Sequence, residues 1–241
     1  MKKLQKSSEL LWVFGVVFVA LGVAICSKAD LGVSMIAATA FVVYDAISSL
    51  WSGFSVGMVE YIIQGILLVI LCIVIRKFNW RYLLAFVVAV IYGYVLDLFL
   101  WILSPISFNY VWLRYVMLLV GDIVTAFGVA CFFKTYLPLQ VYELFVAATA
   151  YSFNFKISTV KSIFDKALLV ISIVLALSLF GDVTTFDWST IYYKSFHSIG
   201  LGTIITTLIN PTLINTCSMF IDKIFEPTAR FTSLEKFLKH N

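Results

Sequence analysis

The sequence predicts an all-α polytopic membrane protein. Six transmembrane helices and two half-membrane, re-entrant helical segments are expected, arranged as two inverted repeats. Three observations lead there. Of 241 residues, 62% are hydrophobic and only 12% charged, about half the charge usual in soluble domains. The apolar residues come in blocks near the roughly 20 residues a helix needs to cross a bilayer. Finally, "ALGVAICSKADL", starting at Ala20, returns as "AFGVACFFKTYL", starting at Ala126, with six of twelve positions identical and no gap.

The blocks can be taken in order. The first, 10–27, follows "MKKLQKSSEL"; it is long for a signal-peptide core and lacks a small-x-small cleavage site, so it reads as a retained span. Segment 31–50, "LGVSMIAATAFVVYDAISSL", carries Asp45 and several small polar residues and is expected to enter the membrane without crossing it. Blocks 57–75 and 82–103 complete a first repeat of about 10–103. Block 112–133 opens the second repeat, about 112–220. Segment 137–152, "LPLQVYELFVAATAYS", is 16 residues long, carries Gln140 and Glu143, and is the counterpart of 31–50. Both odd segments directly follow a lysine-bearing turn, and both contain "AATA" (37–40 and 147–150). Asp30 is expected to cap the first half-helix and Pro138 to occupy the first turn of the second. Blocks 158–180 and 197–220 end a single membrane domain, 1–222. The remaining 223–241 places Phe231, Leu234, Phe237 and Leu238 on one side of an amphipathic interfacial tail on the cytoplasmic side.

Charge decides between this arrangement and eight full spans. If all eight blocks cross, six Lys/Arg fall outside, including Arg76, Lys77 and Arg81. If the two odd segments return to the side they entered from, the outside keeps only Lys28, Arg114 and Lys194, and thirteen lie inside, as the positive-inside rule favours. Each repeat then crosses three times, an odd number, so the halves insert upside down relative to each other. Glu60 pairs with Asp165 and Asp97 with Asn215 in the same alignment. Both termini are expected in the cytoplasm.

Several functions are excluded. The net charge of +4 sits at block edges rather than on a soluble face, so no nucleic-acid partner is expected. There is no phosphate loop, HExxH or zinc pattern, and the histidines are His197 and His240 alone. No enzyme, cofactor or metal is expected. Cys26, Cys72, Cys131 and Cys217 lie in apolar blocks as packing thiols. The groups that demand a reason are ionisable and amide side chains inside spans. Glu60, Gln64, Asp97, Glu143, Asp165 and Asn210 are the candidate substrate- or ion-binding lining, with Lys161 as counter-ion. Glu60 and Gln64 share a helix face, and Lys161 and Asp165 are spaced to pair. Asp122 is expected to share a wet vestibule with Arg114, and Thr203, Thr206 and Asn210 form a helical stripe. This pattern implies a secondary transporter moving a small solute across the lipid bilayer by alternating access, coupled to protons or a cation. The rival is a non-transporting scaffold or regulator of a membrane-associated biosynthetic enzyme.

The stretches "CSKADLGVSMIAATAFV", "FSVGMVEYIIQGILLVI", "VYELFVAATAYSF" and "IGLGTIITTLINPTLI" resemble the YczE/YitT-type family of bacterial integral membrane proteins, with "KADLGVS" and "GLGTII" the most recognisable pieces. The resemblance implies a multi-pass permease of the bacterial cytoplasmic membrane and brings no site residues with it. Pro211 stands where relatives usually have glycine.

Overall fold

The computed structural model describes residues 4–48, 50–51, 53–180, 195, 198–228 and 230. Among the described residues the order is β1 (Leu4–Ser7), α1 (Ser8–Ala29), α2 (Met35–Ser48), α3 (Val56–Ile75), α4 (Tyr82–Ile102), α5 (Val111–Phe132), α6 (Val141–Ser152), α7 (Ile157–Phe180), α8 (Leu201–Ile224) and β2 (Phe225–Thr228). Helices α1, α3, α4, α5, α7 and α8 are 20 to 24 residues long and apolar enough to span a membrane. Helices α2 and α6, with 14 and 12 residues, extend only about 20 Å at 1.5 Å per residue. The sequence did not suggest the strands. They pair in parallel, Leu4 opposite Phe225, and hold the start of α1 beside the end of α8, as an even number of crossings requires. The expected tail helix and Lys194 lie outside the described residues.

The central contact is an antiparallel seam between α1 and α5. Ser8 Oγ donates to Thr135 Oγ1 (3.0 Å) at one end and Cys26 Sγ to Leu118 O (3.6 Å) toward the other. Between them the backbones almost touch. A Cβ on Gly121 would lie 2.6 Å from Cys26 Sγ and 2.8 Å from Gly22 O, and one on Gly128 would lie 2.7 Å from Val19 N. Gly15 and Gly22, like Gly121 and Gly128, are seven residues apart and so share a helix face. Small residues matter here because lipid tails are as apolar as leucine, and association inside a bilayer depends on close van der Waals packing.

The remaining packing repeats about this seam. Helix α1 packs on α4 as α5 packs on α8, and α3 on α4 as α7 on α8. Helix α2 packs on α7 as α6 packs on α3, α2 on α3 as α6 on α7, and α2 on α8 as α6 on α4. Each of these helix contacts has a mate under exchange of α1–α4 with α5–α8, and the two helices that exchange with each other are antiparallel. The halves are therefore related by a pseudo-two-fold axis in the membrane plane. The repeated lysines confirm this at opposite ends: Lys28 Nζ donates to Ser104 O (3.3 Å), whereas Lys134 Nζ pairs with Asp222 Oδ2 (2.7 Å). The Lys134 end also gathers Lys156 and Arg81 around its cavities and is called the lysine-rich end below.

Both short helices are re-entrant. The chain descends through non-helical Leu31–Ser34, reaches Met35 beside Asn210 (Asn210 Nδ2 to Met35 Sδ, 4.0 Å), and returns along α2 until Asp45 accepts from Ser198 Oγ (3.4 Å). Residues 31–42 are buried without exception, the condition under which irregular backbone survives at membrane depth. Helix α6 mirrors this from the lysine-rich end, returning to Tyr151, which is 91% exposed.

Three local expectations need correction. Asp30 does not cap α2. It ends α1 in the left-handed conformation (φ 53°), and its carboxylate accepts from Arg114 (3.2 Å) and Ser195 (2.9 Å), so Arg114 serves Asp30 rather than Asp122. Pro138 lies in the extended lead-in, not in the first turn of α6; its carbonyl accepts from Trp12 Nε1 (2.9 Å) and Gln140 takes the N-cap position. The two "AATA" strings are not equivalent, because the second sits one turn further along its helix.

Gly22→Ala drives a methyl group into Thr125 and Gly121. It should cost about 2–3 kcal/mol, as overpacking does, read as a lowered unfolding midpoint of the purified protein in detergent, while Gly53→Ala leaves the midpoint unchanged.

Candidate functional site

Helix α3 starts cleanly because Ser55 accepts from Met58 N (3.1 Å), and from that start Glu60 and Gln64 fall one turn apart on its inner face, both 0% exposed. Facing them is the first turn of α6, where Gln140, Tyr142 and Glu143 are all buried. Glu143 thus lies at the start of its helix. It is the third helical residue, beside backbone N–H groups with no intrahelical partner and the positive end of the helix dipole. Glu60 faces the Tyr142 hydroxyl and the Gln64 amide and lies within the electrostatic reach of Glu143. Tyr142 and Gln64 act on the Glu60 carboxyl as hydrogen-bond partners without meeting strict hydrogen-bond geometry, and Glu143 Oε2 and Gln140 Oε1 have no protein partner among the described residues. Polar side chains are seldom buried together in this number inside apolar spans, and this concentration marks the site.

Helix α7 supplies the charge balance. Lys161 Nζ and Asp165 Oδ1 form an ion pair at 2.8 Å, with side chains 3% and 0% exposed, as their spacing predicted. Lys161 also acts on Glu143 through space, which joins the pair to the α3–α6 cluster. Tyr92 of α4, 1% exposed, lies within reach of both glutamates. Asp122 is dry, at 1% exposure with neither oxygen bonded, so the wet vestibule expected for it is not found.

Five predicted residues thus meet: Glu60, Gln64, Glu143, Lys161 and Asp165. Two do not. Asp97 sits near the end of α4, where it accepts from Ser55 Oγ (2.6 Å) and Gly57 N (2.8 Å); it clamps α3 to α4 instead of lining the centre. Asn210 of α8 is buried beside Met35 at the start of α2, and its Oδ1 too has no hydrogen-bond partner among the described residues. Its threonine neighbours bond within their own helix, Thr206 and Thr207 both donating to Thr203 O, so that stripe is packing. Tyr142 and Tyr92 were missed. Tyr142 directly precedes Glu143 in a short, polar segment, which was a usable signal; Tyr92 stands in an ordinary apolar block, which was not.

The two ends of the molecule differ. Away from the lysine-rich end, "KADLGVS" docks on "GLGTII": Gly202 N donates to Leu31 O (2.8 Å) and Val33 N to Ser198 O (2.9 Å), with Gly32 at φ +106°, a conformation that suits glycine. The same end holds the Asp97 clamp and a close approach of α3 to α4, where a Cβ on Gly93 would lie 2.6 Å from Gly57 O. At the lysine-rich end the equivalent places are open. Tyr82 and Leu84 stand off from Leu137 and Leu139 around a cavity of about 230 Å³. Helices α7 and α8 part around one of about 500 Å³, lined by Lys134, Ser158, Lys161, Pro211 and Asn215. Pro211 and Asn215 replace Gly93 and Asp97 in the alignment that pairs Asp97 with Asn215, so the second half can make neither the glycine contact nor the carboxylate clamp.

These features define a class: a multi-pass helical membrane protein of two inverted halves enclosing a buried polar cluster. The chain belongs to the family of unknown function DUF6198, which matches residues 6–219. Neither a curated protein nor a solved structure shows significant similarity to it.

Breaking one partner of a buried ion pair leaves an uncompensated charge. Lys161→Met and Asp165→Asn should each destabilise the protein by about 3 kcal/mol or more, and the double variant Lys161→Met/Asp165→Leu should recover most of the loss. Thermal unfolding in detergent checks the order of the three.

Proposed function

We propose that this protein is a secondary transporter, a permease that moves a small solute across the bacterial cytoplasmic membrane by alternating access, coupled to a proton or cation. The resemblance to YczE/YitT-type proteins points the same way, and the positive-inside rule puts the lysine-rich end and both termini in the cytoplasm.

One observation carries the reading: the pseudo-symmetric halves are in unequal states. Both contacts that seal one end have counterparts at the other end that are open cavities. Inverted halves can exchange such states, which moves access to a central site from one side to the other. In this reading the present state faces the cytoplasm. The 500 Å³ vestibule leads to Lys161, whose ion pair adjoins the Glu60–Glu143 cluster. Asp97 is then a gate residue rather than a ligand, and the glycine pair Gly57 and Gly93 is the surface on which that gate closes. Burial of the carboxylates alone would suit a scaffold equally well. What favours the transporter is that ionisable groups of both halves, Glu60, Glu143 and Asp165, are buried where the repeats interleave, a costly arrangement that marks an ion or substrate pathway.

The test is accessibility. Asn215→Cys, placed in a background with Cys26, Cys72, Cys131 and Cys217 replaced by alanine, should react with a membrane-impermeant maleimide from the cytoplasmic side. Adding Asp97→Ala removes two hydrogen bonds to a carboxylate, each worth about 1.5 kcal/mol or more, and should favour the state open on the other side. Labelling should then slow by about tenfold or more. Unchanged labelling, together with proteoliposomes that move no charge or proton under imposed gradients, would overturn the reading in favour of the scaffold.

A further inference from the structure

Resting on the transport reading, we infer that the vestibule between α7 and α8 is the binding site of a small, singly charged organic carboxylate, and that the transported solute belongs to this class. At about 500 Å³, the cavity falls in the range of small-molecule sites. Lys134, Lys156 and Lys161 border it together with Ser158, and no acidic residue does. Lys134 and Lys156 lie at helix ends, where the positive-inside rule alone would put lysines. Lys161 does not. It sits one turn inside α7 with its side chain 3% exposed, and an ammonium at that depth needs acceptors. Of its three N–H donors, one goes to Asp165 Oδ1 at 2.8 Å, and the described residues offer no second acceptor.

Charge and shape select the occupant. Asp222 pairs with Lys134 at 2.7 Å and Asp165 with Lys161 at 2.8 Å, while Lys156 has no carboxylate partner among the described residues. One positive charge at the cavity is therefore uncompensated. A monoanion neutralises it, whereas a phosphate monoester, with nearly two negative charges at neutral pH, overshoots. The first turn of α7 adds donors for an oxyanion. Thr159 N and Val160 N both bond to Lys156 O, but the N–H groups of Ile157 and Ser158 have no acceptor among the described residues. Such amides, with the helix dipole behind them, favour anions. Ser158 and Lys161 are three residues apart and share a helix face, so one carboxylate can accept from the hydroxyl and the ammonium together. On the α8 side the wall includes Pro211 and Ile214, an apolar surface that suits a hydrocarbon body rather than a bare inorganic ion.

The position suits transport. Lys161 borders the vestibule and also holds Asp165 in the buried cluster. A carboxylate arriving from the lysine-rich end shares that ammonium with Asp165, and its arrival loosens the pair at the centre about which the halves exchange.

The test is protection from labelling. The full-length Asn215→Cys variant, whose new thiol borders the cavity from α8, is treated with maleimide in detergent in the background without native cysteines. The pH is fixed and sodium chloride makes up the ionic strength, while acetate, butyrate and the neutral butyramide are added in turn. Butyrate should slow labelling saturably, with a half-protecting concentration about tenfold below that of acetate, because two more methylenes are buried. Butyramide should not protect at the same concentrations. Lys156→Gln, at an exposed position, should raise the half-protecting concentration of butyrate about tenfold, as loss of a charged hydrogen-bond partner does. The double variant Lys161→Met/Asp165→Leu should lose the protection altogether; if it does not survive purification, Lys156→Gln decides alone. Equal protection by butyramide, no protection by either carboxylate, or stronger protection by inorganic phosphate overturns the inference. If phosphatidylglycerol added to the micelles protects and butyrate does not, the occupant is a lipid headgroup and the inference falls as well. None of these outcomes depends on transport. Protection by butyrate with silent proteoliposomes upholds the anion site and counts against the transport reading alone.

Discussion

The close approach of α1 and α5 is the constraint on which the rest of the structure depends. Two antiparallel helices with glycines at matched seven-residue spacing bring their backbones within van der Waals contact. Among the helix pairs in extensive contact, this one alone maps onto itself under the symmetry. Once that seam is set, α4 and α8 lie against its outer faces, and α3 and α7 complete each half. The half-helices then fill the remaining space, each packing on the spanning helix of the opposite repeat, α2 on α7 and α6 on α3. That crossing brings Glu143 of one repeat to Glu60 of the other. The central cluster therefore exists only because the halves are interleaved; neither repeat alone could build it.

Much of this architecture was legible in the chain, and for identifiable reasons. Composition and block length report the solvent, and a bilayer imposes both. The charge count detected the half-helices because a misplaced crossing would have put Arg76, Lys77 and Arg81 on the wrong side. The pair Lys161 and Asp165 could be read because helical spacing alone brings them together. What escaped was whatever depended on contacts between distant segments. Asp30 and Pro138 looked like helix-starting residues, and only the position of Arg114 and Trp12 shows their other uses. Asp97 looked like a ligand because a carboxylate in an apolar block suggests function; its partners, Ser55 and Gly57, are some forty residues away. The motifs "KADLGVS" and "GLGTII" were conspicuous as strings, yet nothing in either showed that they bond to each other.

The cluster also sets the energetic character of the protein. An outer surface of exposed Ile, Leu, Val and Phe is at ease in hydrocarbon and contributes little to holding helices together. Specificity must come from the interior, and the interior here is not a uniform apolar core. It divides into a tightly packed seam of small residues and a polar centre of buried ionisable and amide side chains. The first resists rearrangement, since any shift there collides backbone with backbone. The second places ionisable groups of both halves side by side, so its energy depends on their protonation and pairing. A protein built this way has a stiff spine and an electrostatically sensitive centre.

The ribbon formed by Leu4–Ser7 and Phe225–Thr228 bears on how the chain is made. Its partners are more than two hundred residues apart, so this ladder closes only after the eighth helix has left the ribosome and entered the bilayer. Until then the first strand has an open edge at the membrane surface. The ribbon thus acts as a closing stitch, added last, that marks a chain with all its spans inserted. A chain that stalls before α8 has nothing to stitch to.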